Sequence, residues 1–309
     1  MLKNFTDLLD KAASGPAYRV CIAAAADAEI ISAAKMAQER GIMHPVLVGD
    51  ESNLRALCAK AGLADYSLLP CDSEAQCAEI AVKAVQGGKA DVLMKGTLNT
   101  SDYLRAILNK EYGLRGGSLL SALAVYEVRE YHKLIFCSDS GMNTAPNLEQ
   151  KLGILNNALG AMQKLGFAKP KVAALTANEA VDSKVPATVD AKALTDMAAR
   201  GETLPCLLEG PIAFDVAFDR AAAEHKRINS AISGEVDLIL APNIETGNAL
   251  GKSWLTLNKA KWAGVILGTS RPVVLGSRSD TAEVKINSIA LACLLAREAA
   301  RSDPQEAAP

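Results

Sequence analysis

The stretch Pro272-Val273-Val274-Leu275-Gly276-Ser277-Arg278-Ser279-Asp280 reads as a buried strand that runs out into hydroxyls, a guanidinium and a carboxylate. Beyond it, Thr281 to Arg301 carries Val284, Ile286, Ile289, Leu291, Leu294 and Leu295 at helical spacing, so the polar residues fall where a strand meets a helix N-terminus. Amides at a helix N-terminus attract anions, a planar guanidinium grips phosphate through two N–H donors, and neighbouring hydroxyls add further donors. The segment therefore has the parts of an oxyanion or phosphate site. Asp280 followed by Glu283 equally matches a capping pair, and local sequence leaves cap and site both open.

The same strand-turn-helix rhythm extends over the whole chain. Strands are predicted at 18–24, 44–49, 90–95, 133–137, 171–176, 236–241, 262–267 and 273–275, and helices at 27–40, 53–61, 74–86, 101–110, 147–165, 190–199, 219–232 and 247–259. The strand runs are apolar throughout rather than alternating, which predicts an α/β fold with mainly parallel sheets covered on both faces. With 309 residues, 50% hydrophobic and 22% charged, the chain can bury one large core or two moderate ones, and two lobes are expected. There is no internal repeat, and only the tail from Arg301 to Pro309 has the composition of a loose segment.

Bulk chemistry excludes several classes. The net charge of -2, the pI near 6.0 and scattered basic residues leave no electrostatic footprint for nucleic acid. No apolar run reaches membrane-spanning length, and Asp7 and Asp10 stand where a signal peptide is apolar, so a cytoplasmic protein without a membrane partner is expected. Seven cysteines (Cys21, Cys58, Cys71, Cys77, Cys137, Cys206, Cys293) show no CxxC spacing and are expected to be buried free thiols. His44, His132 and His225 are far apart without ligand-like neighbours, so no metal site is expected.

Ligands of open α/β sheets gather at the carboxyl ends of the strands. After the strand at 90–95 comes Lys95-Gly96-Thr97-Leu98-Asn99-Thr100, with Arg105 on the second turn of the helix that follows. Lys95, Gly96, Thr97, Thr100 and Arg105 suit an anion or nucleotide contact, and a turn glycine with an N-cap threonine accounts for the same residues structurally. Ser138-Asp139-Ser140-Gly141-Met142-Asn143 is a polar loop with the parts to line a cleft, and Leu208-Glu209-Gly210-Pro211 reads as a turn with an acid beside it. Pro242-Asn243-Ile244-Glu245-Thr246-Gly247-Asn248-Ala249-Leu250-Gly251-Lys252-Ser253 approaches a phosphate-cradling Walker loop. It has three residues between Gly247 and Gly251 where that motif needs four, so an ATPase or GTPase is rejected. Neither GxGxxG at a strand-to-helix turn nor GxSxG is present.

Taken in order, 94–102, 138–143, 209–211, 242–248 and 277–280 resemble the motifs of phosphate acyltransferases of the acetyl/butyryl type. The likeness is closer to the butyryl branch, with its Lys-Gly loop, a Gly-Pro turn before an aspartate (here Asp215), a Pro-x-Ile-Glu-x-Gly-Asn loop and a Ser-Arg-x-Asp turn. The resemblance implies two α/β lobes of the isopropylmalate-dehydrogenase type, with 1–137 plus 270–309 as one lobe and 138–269 inserted as the other. It also implies a cleft between the lobes and a homodimer. The implied reaction is acyl-CoA plus inorganic phosphate in equilibrium with acyl phosphate plus free CoA. Coenzyme A would be a substrate, with no permanently bound cofactor and no metal.

By the same resemblance Ser277 and Arg278 bind phosphate and stabilise the carbonyl oxyanion, and a carboxylate just beyond takes the thiol proton. Asp280 is the first choice for that base and Glu283 the alternative. Lys95, Gly96, Thr97, Thr100, Arg105, Ser140, Asn143, Gly210, Pro211, Asn243, Glu245, Gly247, Asn248 and Lys252 are the implied substrate contacts. The acetyl branch often has cysteine where Ser140 stands and arginine near Thr256, so neither contact carries over, and smaller groups in place of that arginine would favour a longer, apolar acyl chain such as butyryl. A decarboxylating dehydrogenase of the same fold would need paired metal-binding aspartates with a tyrosine and a lysine, a set the sequence does not assemble. A non-catalytic CoA-sensing or structural protein is the remaining alternative.

Overall fold

Val20, Cys21, Ile22 and Ala23 follow one another without a polar interruption and all are buried, as a strand covered on both faces requires. The structure, a computed structural model, describes residues 2–276 and 280–301. Its contacts divide the chain into an outer unit, Phe5–Ser118 with the chain from Ala263 onward, and an inserted unit, Leu119–Trp262 with the first residues. The sequence reading placed these divisions at 138 and 270. The earlier first switch reflects a strand at Ser121–Glu127 that pairs antiparallel with the strand at Ile135–Ser138.

The chain opens with α1 (Phe5–Ala13), β1 (Tyr18–Ala23), α2 (Ala28–Glu39), β2 (Met43–Gly49), α3 (Glu51–Ala61), β3 (Ser67–Pro70), α4 (Glu74–Gln86), β4 (Val92–Lys95) and α5 (Thr100–Ile107). The inserted segment runs β5 (Ser121–Glu127), β6 (Ile135–Ser138), α6 (Leu148–Lys164), β7 (Lys171–Leu175), α7 (Pro186–Ala199), β8 (Leu207–Ile212), α8 (Phe214–Phe218), α9 (Arg220–His225), β9 (Leu238–Leu240) and α10 (Ile244–Ser253). A π-helical turn at Trp254–Asn258 follows, and β10 (Lys261–Leu267), β11 (Val273–Val274) and α11 (Ala282–Arg301) complete the described chain.

In the outer unit the strand order is β3-β2-β1-β4-β11-β10, parallel except where β11 meets β10. In the inserted unit it is β5-β6-β9-β7-β8, parallel except for β5 with β6. These are the α/β architectures expected from the continuous apolar runs. Helix starts follow their capping residues: Asp27, Asp50, Ser73, Asn99, Asn147 and Asn243 each accept a backbone N–H in the first turn. Among the described residues no helix is long and apolar enough to cross a membrane.

Several elements depart from expectation. The segment read as a turn at Leu208–Pro211 lies within β8. Its proline is tolerated because β8 is the last strand in its unit's order, where one side of the strand needs no ladder donor. The helix expected over 219–232 ends at His225, since Arg227 adopts a left-handed backbone. The helix expected from Asn53 begins at Glu51 because Asp50 caps it. The expectation of seven free thiols fails for one pair: Cys71 and Cys77, six residues apart around the start of α4, form a disulfide. Cys21, Cys58, Cys137 and Cys293 are buried outside any disulfide, and Cys206, also outside any disulfide, is half-buried.

One buried ion pair ties the strand starts of the inserted unit together. The Lys133 ammonium, just before β6, donates to Asp237 Oδ1 at 2.7 Å and to the Glu235 carbonyl at 2.8 Å. The other Asp237 oxygen accepts the Lys171 amide of β7 at 2.8 Å. Removing one member of such a pair leaves an uncompensated charge, which costs about 3–5 kcal/mol. Lys133→Met is therefore expected to destabilise the protein by that amount in denaturant melts. Unchanged stability would contradict the role assigned to the pair.

Candidate active site

The outer unit holds a cavity of about 90 Å³ at the carboxyl end of β4, lined by Lys95, Gly96 and Thr97 from the end of that strand and by Gly276, Asp280, Lys285 and Ser288 from the chain that leads into and along α11. Its geometry starts from the backbone. Gly96 donates its amide to the Ala23 carbonyl at 2.8 Å, and Thr97 donates to the Ala24 carbonyl at 2.9 Å. A Cβ on Gly96 would fall 2.0 Å from the Ala24 oxygen, so no other residue fits. The close approach read from this glycine is thus to the neighbouring strand end. It turns the chain so that Lys95, 5% exposed, donates to the carbonyls of Gly96 and Leu98 inside the unit.

More of the lining comes from the start of α11. There Thr281 Oγ1 accepts the Val284 amide, and the Glu29 carboxylate of α2 accepts the Ala282 amide at 2.8 Å. Capping at this helix is therefore carried by Thr281 and Glu29, and the Asp280 residue lies on the cavity wall. Ser277 and Arg278 lie outside the described residues. The buried Tyr103 hydroxyl of α5 donates to the Val274 carbonyl of β11 at 3.1 Å. Burial pushes that phenol's pKa well above the usual value, so it serves as a donor and not as a base.

Thr100 and Arg105, read with the same loop, do not line the cavity. Asn99, not Thr100, caps α5, and Arg105 is exposed on the helix surface in an ion pair with Asp102.

In the inserted unit, the loop Ser138–Asn143 is organised by the Asp139 carboxylate. It accepts from five N–H donors: the amides of Ala122, Gly141, Met142 and Asn143, and the Asn143 side chain. Asn143 also donates to the Leu120 carbonyl at 2.9 Å, so its side chain holds the loop together. The start of α10 docks on this loop. Asn248 donates to the Ser140 carbonyl at 3.2 Å, and a Cβ on Gly247 would lie 2.7 Å from the Asp139 oxygen. Asn243 is committed as the cap of α10, accepting from the amide and hydroxyl of Thr246. Glu245 and Lys252 are exposed on the helix, and Gly251-Lys252-Ser253 sits within it rather than in a phosphate-binding loop.

Gly210 and Pro211 are half-buried in β8, and Thr195 donates to the Gly210 carbonyl at 2.9 Å. Glu209 accepts from Ser230 Oγ and the Ala231 amide, so it fixes the loop ahead of β9. The exposed Asp215 carboxylate is held below its usual pKa, first by a hydrogen bond from Lys226. Tyr126, beside Ser140, has its phenol pKa raised by burial and by Cys137, with the Ser140 hydrogen bond acting in the opposite direction.

Sequence reading passed over Lys285, Asp27 and Ser288 in the cavity and Asp139 in the loop. For Lys285 a signal existed. It stands four residues before Ile289 on the buried stripe of α11, where a charge is out of pattern. Among the described residues no group of three or more His, Cys, Asp or Glu is placed to hold a metal.

Two outcomes test this geometry. Asp139→Asn puts an amide donor where N–H groups converge and is expected to destabilise the protein by about 1–3 kcal/mol in denaturant melts. A variant as stable as wild type would contradict it. Burial raises the thiols of Cys21 and Cys137 to about 12, so both stay protonated at pH 8. Iodoacetamide is expected to leave them unlabelled in the native protein by mass spectrometry, and rapid labelling would overturn their assignment as inert core groups.

Comparison with known proteins places these features in context. The family profile described as phosphate acetyl/butaryl transferase matches residues 73–293. The chain is 39% identical over 298 residues to the phosphate butyryltransferase of Clostridium acetobutylicum, covering 96% of this chain and 99% of that one. It is 35% identical over 294 residues to the phosphate acetyltransferase of Thermotoga maritima, covering 94% and 100%. Among solved structures it is similar to a branched-chain phosphotransacylase from Enterococcus faecalis, with a TM-score of 0.80, 32% identity, and coverage of 90% and 99%.

Proposed function

The chain belongs to the phosphate acetyl/butyryl transferase family, and from that membership we infer that it transfers a short-chain acyl group reversibly between coenzyme A and inorganic phosphate. The observation that carries this reading is the likeness to a phosphate butyryltransferase over 96% of this chain, which leaves little room for a different set of active-site loops. The butyryl-type preference is our proposal. It is supported by the higher identity to the butyryl than to the acetyl enzyme, and by Thr256, near which the acetyl branch often carries arginine. One methylene is worth about 1–3 kcal/mol of discrimination, so neighbouring chain lengths are accepted at reduced rates.

In the proposed mechanism a phosphate oxygen attacks the thioester carbonyl, the tetrahedral oxyanion collapses, and the CoA thiolate leaves and takes a proton from the Asp280 carboxylic acid. In reverse, the Asp280 carboxylate removes the CoA thiol proton, the sulfur attacks the acyl phosphate carbonyl, and phosphate leaves. Ser277 and Arg278 are proposed to hold the phosphate and the developing oxyanion, a task suited to a bidentate guanidinium. The position of Asp280 on the cavity wall, with Thr281 and Glu29 at the helix cap, supports it over Glu283, which is exposed on α11. Lys95, Gly96 and Thr97 are proposed as contacts of the outer unit, and Ser140, Gly247 and Asn248 as contacts of the inserted unit. We also propose a cytoplasmic homodimer that needs no metal or permanently bound cofactor.

Phosphate-dependent CoA release, measured across acetyl-, propionyl-, butyryl- and valeryl-CoA, is expected to peak at butyryl-CoA and to survive dialysis against a chelator. No release with any of the four would overturn the function. Arg278→Ala is expected to slow turnover by about two to three orders of magnitude at nearly unchanged melting temperature, with little recovery in Arg278→Lys. Equal rates would remove Arg278 from the site. Asp280→Asn is expected to slow CoA attack on acyl phosphate by roughly 10²- to 10⁴-fold and to abolish the rise of rate with pH that follows a carboxylate. A near wild-type rate, with collapse in Glu283→Gln, would move the base three residues along.

A further inference from the structure

Lys285 is 5% exposed, sits one turn into α11 and lines the same cavity as Lys95, which is equally buried. Its ammonium donates to the Asp280 carbonyl, and among the described residues no carboxylate stands within ion-pair distance of it. A carbonyl satisfies one of an ammonium's three N–H donors and none of its charge. An ammonium that lines a cavity and makes no ion-pair contact leaves charge and N–H donors for a small anion entering that cavity. The same cavity is lined by a second buried lysine, Lys95, and by the hydroxyl-bearing Thr97. The acidic groups on the wall are Asp27, whose side chain accepts the Ile30 amide as the cap of α2, and Asp280.

The ligand class follows from the lining: two lysines, a threonine and a serine in a cavity of about 90 Å³ suit a small tetrahedral oxyanion. We propose that Lys285, together with Lys95, seats the phosphate dianion of the reaction, either inorganic phosphate or the phosphoryl group of the acyl phosphate. The assignment rests on the acyltransferase reading above. It makes Lys285 a substrate-binding residue, with its charge directed at phosphate and not at the acyl or nucleotide part of the thioester substrate.

The test is steady-state kinetics of Lys285→Gln with both substrates varied. Glutamine keeps an N–H donor for the Asp280 carbonyl but removes the charge, so a merely structural role would be retained. The expected result is a KM for phosphate raised by about 10- to 100-fold with the KM for butyryl-CoA within about twofold, and loss of the stabilisation that phosphate gives wild type in thermal melts. Lys285→Arg is expected to recover part of the phosphate affinity.

Unchanged phosphate KM in an otherwise active Lys285→Gln would overturn this inference and leave the function standing. A wild-type protein that releases no CoA overturns the function itself. Should the glutamine variant not fold, carbamoylation of the wild-type protein by cyanate, a small anion, supplies the second test. Lys285 is expected to react and to be protected by phosphate, and equal modification with and without phosphate, or none at all, would overturn the proposal.

Discussion

Two carbonyls at the end of a strand govern the outer unit. Ala23 and Ala24 can be buried only if their oxygens find donors, and the donors are the amides of Gly96 and Thr97 at the end of β4. That requirement brings two loop backbones closer than any side chain at residue 96 would permit, and it fixes the direction in which Lys95 leaves the strand. The cavity is what remains when the chain satisfies its own backbone at this point. Its polar lining follows from how the sheet satisfies its own backbone.

The inserted unit solves a comparable problem with side chains. A single carboxylate, Asp139, gathers the amides of a loop that has no regular secondary structure, and α10 rests against the result. At the other end of the same strands, Lys133 and Asp237 do the same for three strand starts. In both places a buried charge is tolerated because several backbone and side-chain groups are hydrogen-bonded to it.

Much of this was legible in the chain. The unbroken apolar runs at β1, β2, β4 and β9 announced parallel strands, because alternation is lost when both faces are covered. The caps Asp27, Ser73 and Asn147 stand in the sequence ahead of apolar periodicity. β5 escaped notice because alanine at 122 and 124 lowers its strand character, and β8 because Gly210-Pro211 imitates a turn. At the site, residue type was visible and role was not. Asn243 and Asn143 look like ligand contacts by chemistry, yet their hydrogen bonds are spent on the local backbone and side chains. The outnumbered charge on an apolar stripe, Lys285, was the quieter signal and lies nearer the cavity.

The packing of α11 sets an order of events. This helix lies against both α1 and α2, and it supplies part of the lining of the cavity at the end of β4. On a ribosome, the early helices emerge long before their partner is synthesised, while the inserted segment has all of its own strands available once Trp262 is made. The outer unit must therefore wait with apolar surface uncovered. Completion of its core and assembly of the cavity lining that α11 supplies become one event, which cannot precede synthesis of that helix, and nascent chains that stop short of α11 keep apolar faces of α1 and α2 uncovered.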